Sequence, residues 1–190
     1  MAVYCALYIT ACGRLSTEKE LSDNLFDFQI SIDGTVYQFP MEYSEFEAMG
    51  WQYSGDSTEI LEAGRWDMPP DLWHKEGYGV YVILANPTTE DVSYSESTVS
   101  GILLMDAFLA ECDWEIMLPG GIQYDVSNAD DIKAAYGEPS YEPDNIDYTM
   151  EYIYEGDPDR EIVLSVYSDS NTLKFILVQN VIGVDSPEIN

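Results

Sequence analysis

Three runs rich in β-branched and aromatic residues, Tyr148–Tyr154, Glu161–Tyr167 and Thr172–Gln179, follow one another near the end of the chain. Only Gly156-Asp157-Pro158-Asp159 and Ser168-Asp169-Ser170-Asn171 part them. Such residues favour tight turns. Links this short reverse the chain, because a parallel crossover needs a dozen or more residues. The runs are therefore an antiparallel meander, and this limits the rest of the fold to elements that can cover an antiparallel sheet.

The first half repeats the theme. In Phe26-Asp27-Phe28-Gln29-Ile30-Ser31-Ile32 every second residue is apolar, the period of a half-buried strand. Asp33-Gly34 is a hairpin signal, Val36, Tyr37 and Phe39 form the return strand, and Pro40 stops it. Tyr43–Met49 reads as a short helix, with Ser44 and Glu47 as a capping box and Gly50 just past its end. Trp51-Gln52-Tyr53 begins another strand. Ser54–Gly79 is irregular and reads as a loop with one or two edge strands. Tyr78–Ala85, the most apolar run, is a central strand, and Val99–Met105 is another.

Beyond it, Trp114–Leu118 is a strand, Pro119-Gly120-Gly121 a turn and Ile122–Tyr124 a short return strand. Ser127–Tyr136 is a helix with Ser127 as N-cap and Asp130 near the positive end of its dipole; Gly137 ends it and Pro139 prevents its continuation. Ile30, Ile32, Gly34, Val36, Phe46 and Ala48 fall opposite Ile116, Leu118, Gly120, Ile122, Ile132 and Ala134 at a constant offset, a weak internal repeat. The fold class is α+β: an antiparallel β-sheet with two short helices, in two tandem related halves at 25–105 and 106–184, preceded by a leader and tether at 1–24 and followed by a tail at 185–190.

Charge sets the class of partner. The chain has 36 Asp+Glu against 7 Lys+Arg, a net charge of −29. That sign opposes binding to nucleic acid or anionic lipid and admits cations, basic proteins and neutral ligands. Cys5, Cys12 and Cys112 form no Cys/His cluster with the single histidine, His74, so no zinc site and no metal is expected. The acidic turns 144–147 and 156–159 lack the EF-hand pattern and are ordinary turn sequences. No nucleotide-binding loop or nucleophile elbow occurs, and no cofactor is expected.

Residues 1–12, MAVYCALYITAC, are uncharged and too short to span a bilayer. They are either the end of a secretory signal or a first buried strand. Ile9-Thr10-Ala11-Cys12 resembles the lipobox of bacterial lipoproteins, which implies lipidation at Cys12, although no basic residue precedes it. Leu118–Pro139 resembles a segment of small lipoproteins of Gram-positive gut bacteria, in which a Gly-Ile strand is followed by a Ser-capped helix and Tyr-Gly-x-Pro. The helix-then-meander layout is similar to the superfamily of the β-lactamase inhibitor protein and the outer-membrane assembly lipoproteins. That resemblance covers Ile116–Asn180, and Phe26–Gly50 more loosely. It implies small α+β units, sometimes in tandem, that mostly bind proteins, and it assigns no functional residue here.

The resulting expectation is a non-enzymatic, acidic surface lipoprotein that is lipid-anchored to the bacterial membrane and binds an extracellular protein or small ligand. Ser54–Gly79 is the expected binding region, with Trp66 and Trp73 as its aromatic anchors, because interface energy concentrates in such rings and function in irregular segments. Two other classes fit the composition: a carbohydrate-binding module or hydrolase, and a cytosolic acidic decoy that mimics nucleic acid.

Overall fold

The computed structural model describes residues 20–109, 111–143 and 147–184. Leu25–Asp27 make one 3-10 turn, and Phe28 follows with φ 51°. The expected strand from Phe26 thus begins late, because Asn24 caps that turn by accepting from the Phe26 amide. β1 (Gln29–Ile32) and β2 (Thr35–Gln38) then form the expected hairpin. Asp33 and Gly34 both have positive φ, 47° and 74°, as the two-residue turn requires.

β3 (Met41–Glu42) leads into α1 (Tyr43–Ala48). The expected Ser44–Glu47 box does not form: Glu42 is the N-cap and makes no side-chain cap bond, so burial of Tyr43 and Phe46 is what holds this helix. β4 (Gln52–Tyr53), β5 (Ile60–Leu61), β6 (Arg65–Asp67) and β7 (Trp73–Lys75) follow, so the segment expected to be mostly loop contributes three short strands. β8 (Tyr78–Asn86), β9 (Val92–Ser93) and β10 (Thr98–Met105) lead to α2 (Asp106–Leu109), a single turn that no capping or periodicity announces.

β11 (Ile116–Leu118) and β12 (Ile122–Gln123) form a second hairpin, and α3 (Ala129–Tyr136) comes next. Its cap is Asn128 rather than Ser127. Asn128 Oδ1 accepts from the amides of Asp130 and Asp131 at 2.8 and 3.1 Å, and Asp131 reaches back to the Asn128 amide at 2.9 Å. Ser127 instead accepts from the Gln123 amide at 3.0 Å and closes the preceding turn. β13 (Tyr148–Ile153), β14 (Arg160–Tyr167) and β15 (Thr172–Asn180) form the meander.

Every strand pairing is antiparallel. The fold is α+β and mainly β. One sheet has the order β12-β11-β1-β2. The larger runs β13-β14-β15-β10-β8-β7-β4, with β3 joined to β10 and β6 to β8, and β5 pairs with β9. One apolar core holds Ile30, Ile32, Ile116 and Leu118 with Val82, Leu84, Ile102, Leu104, Leu164 and Ile176, so residues on both sides of Met105 share it. At the β10–β15 seam, a Cβ on Gly101 would overlap the Val178 carbonyl oxygen and meet Gln179 Cα at 3.1 Å. Among the described residues no helix is long and apolar enough to cross a membrane.

Candidate functional site

The β1–β2 hairpin ends its sheet, and among the described residues no strand pairs with the outer edge of β2. A two-residue turn makes Ile32 and Thr35 the closing hydrogen-bonded pair. Alternation then gives Ile30–Tyr37 as the next such pair, and the Phe39 amide donates to the Phe28 carbonyl at 3.0 Å in the same series. The amides and carbonyls of Val36 and Gln38 therefore point away from β1.

Val36 and Gln38 both line a cleft of about 1220 Å³. Thr35 of β2 lines it too, with Met41 and Glu42 of β3, Glu45 of α1 and Met49 just past the end of α1. Beyond the C-terminal end of β2 lie Phe39, Phe28, Arg160 and Asn180; the Asp33-Gly34 turn lies at its start. The buried Asn180 ties this end together, its Nδ2 donating to the Phe39 carbonyl at 2.8 Å while its Oδ1 accepts from Arg160 Nε at 3.0 Å.

Arg160 is held by rings. Its guanidinium lies 4.1 Å from the Tyr154 centroid and 5.6 Å from that of Phe28, a cation–π arrangement. Among the described residues no carboxylate lies within ion-pairing distance of it, whereas Lys133 and Lys174 each hold two. The cleft's carboxylates are Asp27, Asp33, Glu42 and Glu45. Asp27 is engaged by Ser22 Oγ at 2.5 Å and Asn24 Nδ2 at 3.0 Å, and Asp33 accepts from the Glu115 amide at 2.9 Å. The carboxylates of Glu42 and Glu45 are exposed, and neither side chain makes a hydrogen bond or ion pair among the described residues.

The structure separates Trp66 from Trp73, and neither lines the cleft. Trp73 is 0% exposed. Its ring centroid is 4.7 Å from that of Tyr43, 5.1 Å from Phe46 and 5.4 Å from Tyr53. The expectation of Trp73 as a surface anchor is therefore corrected: its strand lies against β8, opposite Val80, and the ring turns into the core. Trp66 is half-buried, opposite Ala85 on the other face of the large sheet, beside Ile83 and Val181. The pair forms no shared platform.

His74 is exposed on β7 opposite Gln52. Cys112 is half-buried, and burial pushes its thiol pKa up. Among the described residues no group of three or more His, Cys, Asp or Glu is arranged to hold a metal. Cys12 and residues 144–146 of the first acidic turn lie outside the described residues.

A second electrostatic feature is Glu161 on β14, half-buried. Burial first, then Glu151 and Asp159, push its carboxyl from the ordinary 4.5 up to about 7. The folded chain holds this proton more tightly than the unfolded chain, so stability from this group declines as pH rises from about 4.5 to about 7. Glu161→Gln is expected to stabilise the fold above pH 7 by roughly 1–2 kcal/mol after allowance for solvent screening. The difference vanishes below about pH 4.5. Urea melts at pH 4 and pH 8 check it; an equal effect at both pH values would contradict this origin.

The cleft was missed because β2 becomes an edge only through the sheet order, and because Arg160 and Asn180 arrive from the far end of the chain. One signal was available: Arg160 is one of only 7 Lys+Arg among 36 acidic residues. No family model, no curated protein and no solved structure matches the chain.

Proposed function

We propose that the chain is a non-enzymatic, acidic protein-binding module, tethered to the outside of a bacterial membrane by a lipid on Cys12. The observation that carries this reading is the cleft beside the free edge of β2. Its volume of about 1220 Å³ exceeds the roughly 300–1,000 Å³ of small-molecule sites and suits a polypeptide segment. The approach of the tether agrees with it: the Ser22 amide donates to Gln29 Oε1 at 2.8 Å, so the chain from residue 20 onward joins the fold next to Phe26 and Asp27 of the cleft.

The tandem organisation belongs to the same reading. Hairpins β1–β2 and β11–β12 meet along β1–β11, and the three-stranded units β7–β8–β10 and β13–β14–β15 meet along β10–β15. α1 and α3 follow their hairpins in the same order. This arrangement supports two related halves placed about a local two-fold axis, as in the tandem α+β protein-binding units that the sequence resembles.

The test uses the full chain with its upstream region in a Gram-positive host, carrying a photo-crosslinking residue at Thr35 or Glu45, or at Glu138 away from the cleft. Discrete protein adducts in the membrane fraction, formed from the two cleft positions and not from Glu138, are the expected result. Cys12→Ala is expected to abolish membrane retention. Adducts from all three positions, or from none, contradict a binding cleft; retention of Cys12→Ala contradicts the tether.

A further inference from the structure

We propose that the cleft takes an extended, lysine- or arginine-bearing segment of a partner protein as an added strand on β2. This rests on the protein-binding reading and specifies its chemistry. β2 spans four residues, Thr35–Gln38, or ~13 Å of strand. Its outer edge offers four backbone groups that no described strand pairs, the amides and carbonyls of Val36 and Gln38, enough to fix an added strand in register. An exposed edge is a template for pairing unless something blocks it. Among the described residues the local block is Pro40, which lies beyond the strand and limits the length of the added segment rather than its entry.

Charge decides the occupant. A strand laid beside β2 turns every second side chain toward α1. There the half-buried Met49 offers apolar surface for the stems of long side chains, and the exposed carboxylates of Glu42 and Glu45, without partners among the described residues, are placed to receive cationic heads. An acidic segment would meet the cleft's four carboxylates, Glu42 and Glu45 among them, besides the net charge of −29. Arg160 completes the site. Its Nε is fixed by Asn180 and its face by Tyr154. Its outer amines remain to receive a backbone carbonyl or a chain-end carboxylate of the added strand where β2 stops. The site is thus acidic along its side and cationic at one end, which also selects the direction of the incoming chain.

The test uses a short synthetic peptide of alternating lysine and valine, its glutamate–valine counterpart, and two forms of the lysine peptide N-methylated on one or the other alternate set of backbone amides. Binding to the full chain is followed by calorimetry and by amide exchange. The lysine peptide is expected to bind, and the glutamate peptide not. One N-methylated form should bind like the parent and the other about tenfold more weakly, because only one set of amides faces β2. Val36→Pro removes an outward amide that β1 does not use, and should weaken the parent peptide by about tenfold. The Val36 and Gln38 amides should gain exchange protection on binding.

Equal binding of both N-methylated forms, with no protection of Val36 and Gln38, overturns strand addition; if the cleft still gives crosslinked adducts in cells, the protein-binding reading survives that failure. Protection of those amides before any peptide is added also overturns it, since the edge would then be filled by the chain's own N-terminal segment. Absence of peptide binding together with absence of adducts overturns both readings.

Discussion

Trp73→Ala is expected to destabilise the fold by about 3–5 kcal/mol, the cost of emptying a large, fully buried aromatic site. Trp73 is 0% exposed and fits among Tyr43, Phe46 and Tyr53, while Phe46 stacks on Trp51 at 5.2 Å with an interplanar angle of 4°. Removing the ring leaves the faces of three neighbours without contacts and opens a cavity that a short helix and two short strands cannot collapse to fill. Because a domain's total stability is of order 5–15 kcal/mol, the variant should unfold at a much lower urea concentration. Trp66→Ala supplies the contrast. Trp66 is half-buried on the opposite face, so its loss should cost well under half as much. Equal and small losses for the two variants would contradict the placement of Trp73 in the core.

Gly101→Ala is expected to cost roughly 3 kcal/mol or more, although it adds a single carbon. The added Cβ would overlap the Val178 carbonyl oxygen and press on Ile83 Cδ1 at 3.0 Å. A flexible side chain can turn aside, but a strand backbone can move only by lengthening the ladder it belongs to. That ladder runs from Gly101 opposite Gln179 to Met105 opposite Phe175 and lies next to a bulge against β8. Gly34→Ala is a useful comparison. Nothing lies within 4 Å of its Cβ position, so only the positive φ of 74° is strained and a cost of about 1 kcal/mol is expected. A Gly101 variant no less stable than the Gly34 variant would show that β10 and β15 can part without loss.

Much of the strand order was legible because strand signals are local. Asp33-Gly34 fixed a hairpin at both of its ends, and the turns at 156–159 and 168–171 divided the meander close to where β14 and β15 begin. The helix at 129–136 is legible for the same reason, yet its cap is Asn128, one residue after the expected Ser127. Ser127 and Asn128 are both good caps, and the choice depends on which one the turn before it needs; the Gln123 amide takes Ser127. α2 has no local signature and exists because the chain must leave β10 at Met105, where Phe108 packs on Tyr81 with ring centroids 5.6 Å apart. Trp66 and Trp73 looked alike in sequence, two tryptophans in one irregular segment. Strand register alone sends one outward opposite Ala85 and the other inward opposite Val80. The cleft was least legible, because its walls come from residues 26–49 and its end from Arg160 and Asn180, and no window of sequence contains both.

The seam between β10 and β15 bears on how the chain is made. β10 is complete once Met105 has been synthesised, but the neighbour that covers its edge begins only at Thr172. β1 likewise waits for Ile116 before β11 can join it. A nascent chain therefore cannot close either sheet from its first half alone, and the edge of β10 stays open until Phe175–Gln179 emerge. Pairings within the first half, such as β1–β2 and β8–β10, can form earlier, but closure of both sheets comes late. Such a chain stays compatible with any step that must act on it unfolded, and a prematurely terminated copy would present an open β-edge to its neighbours.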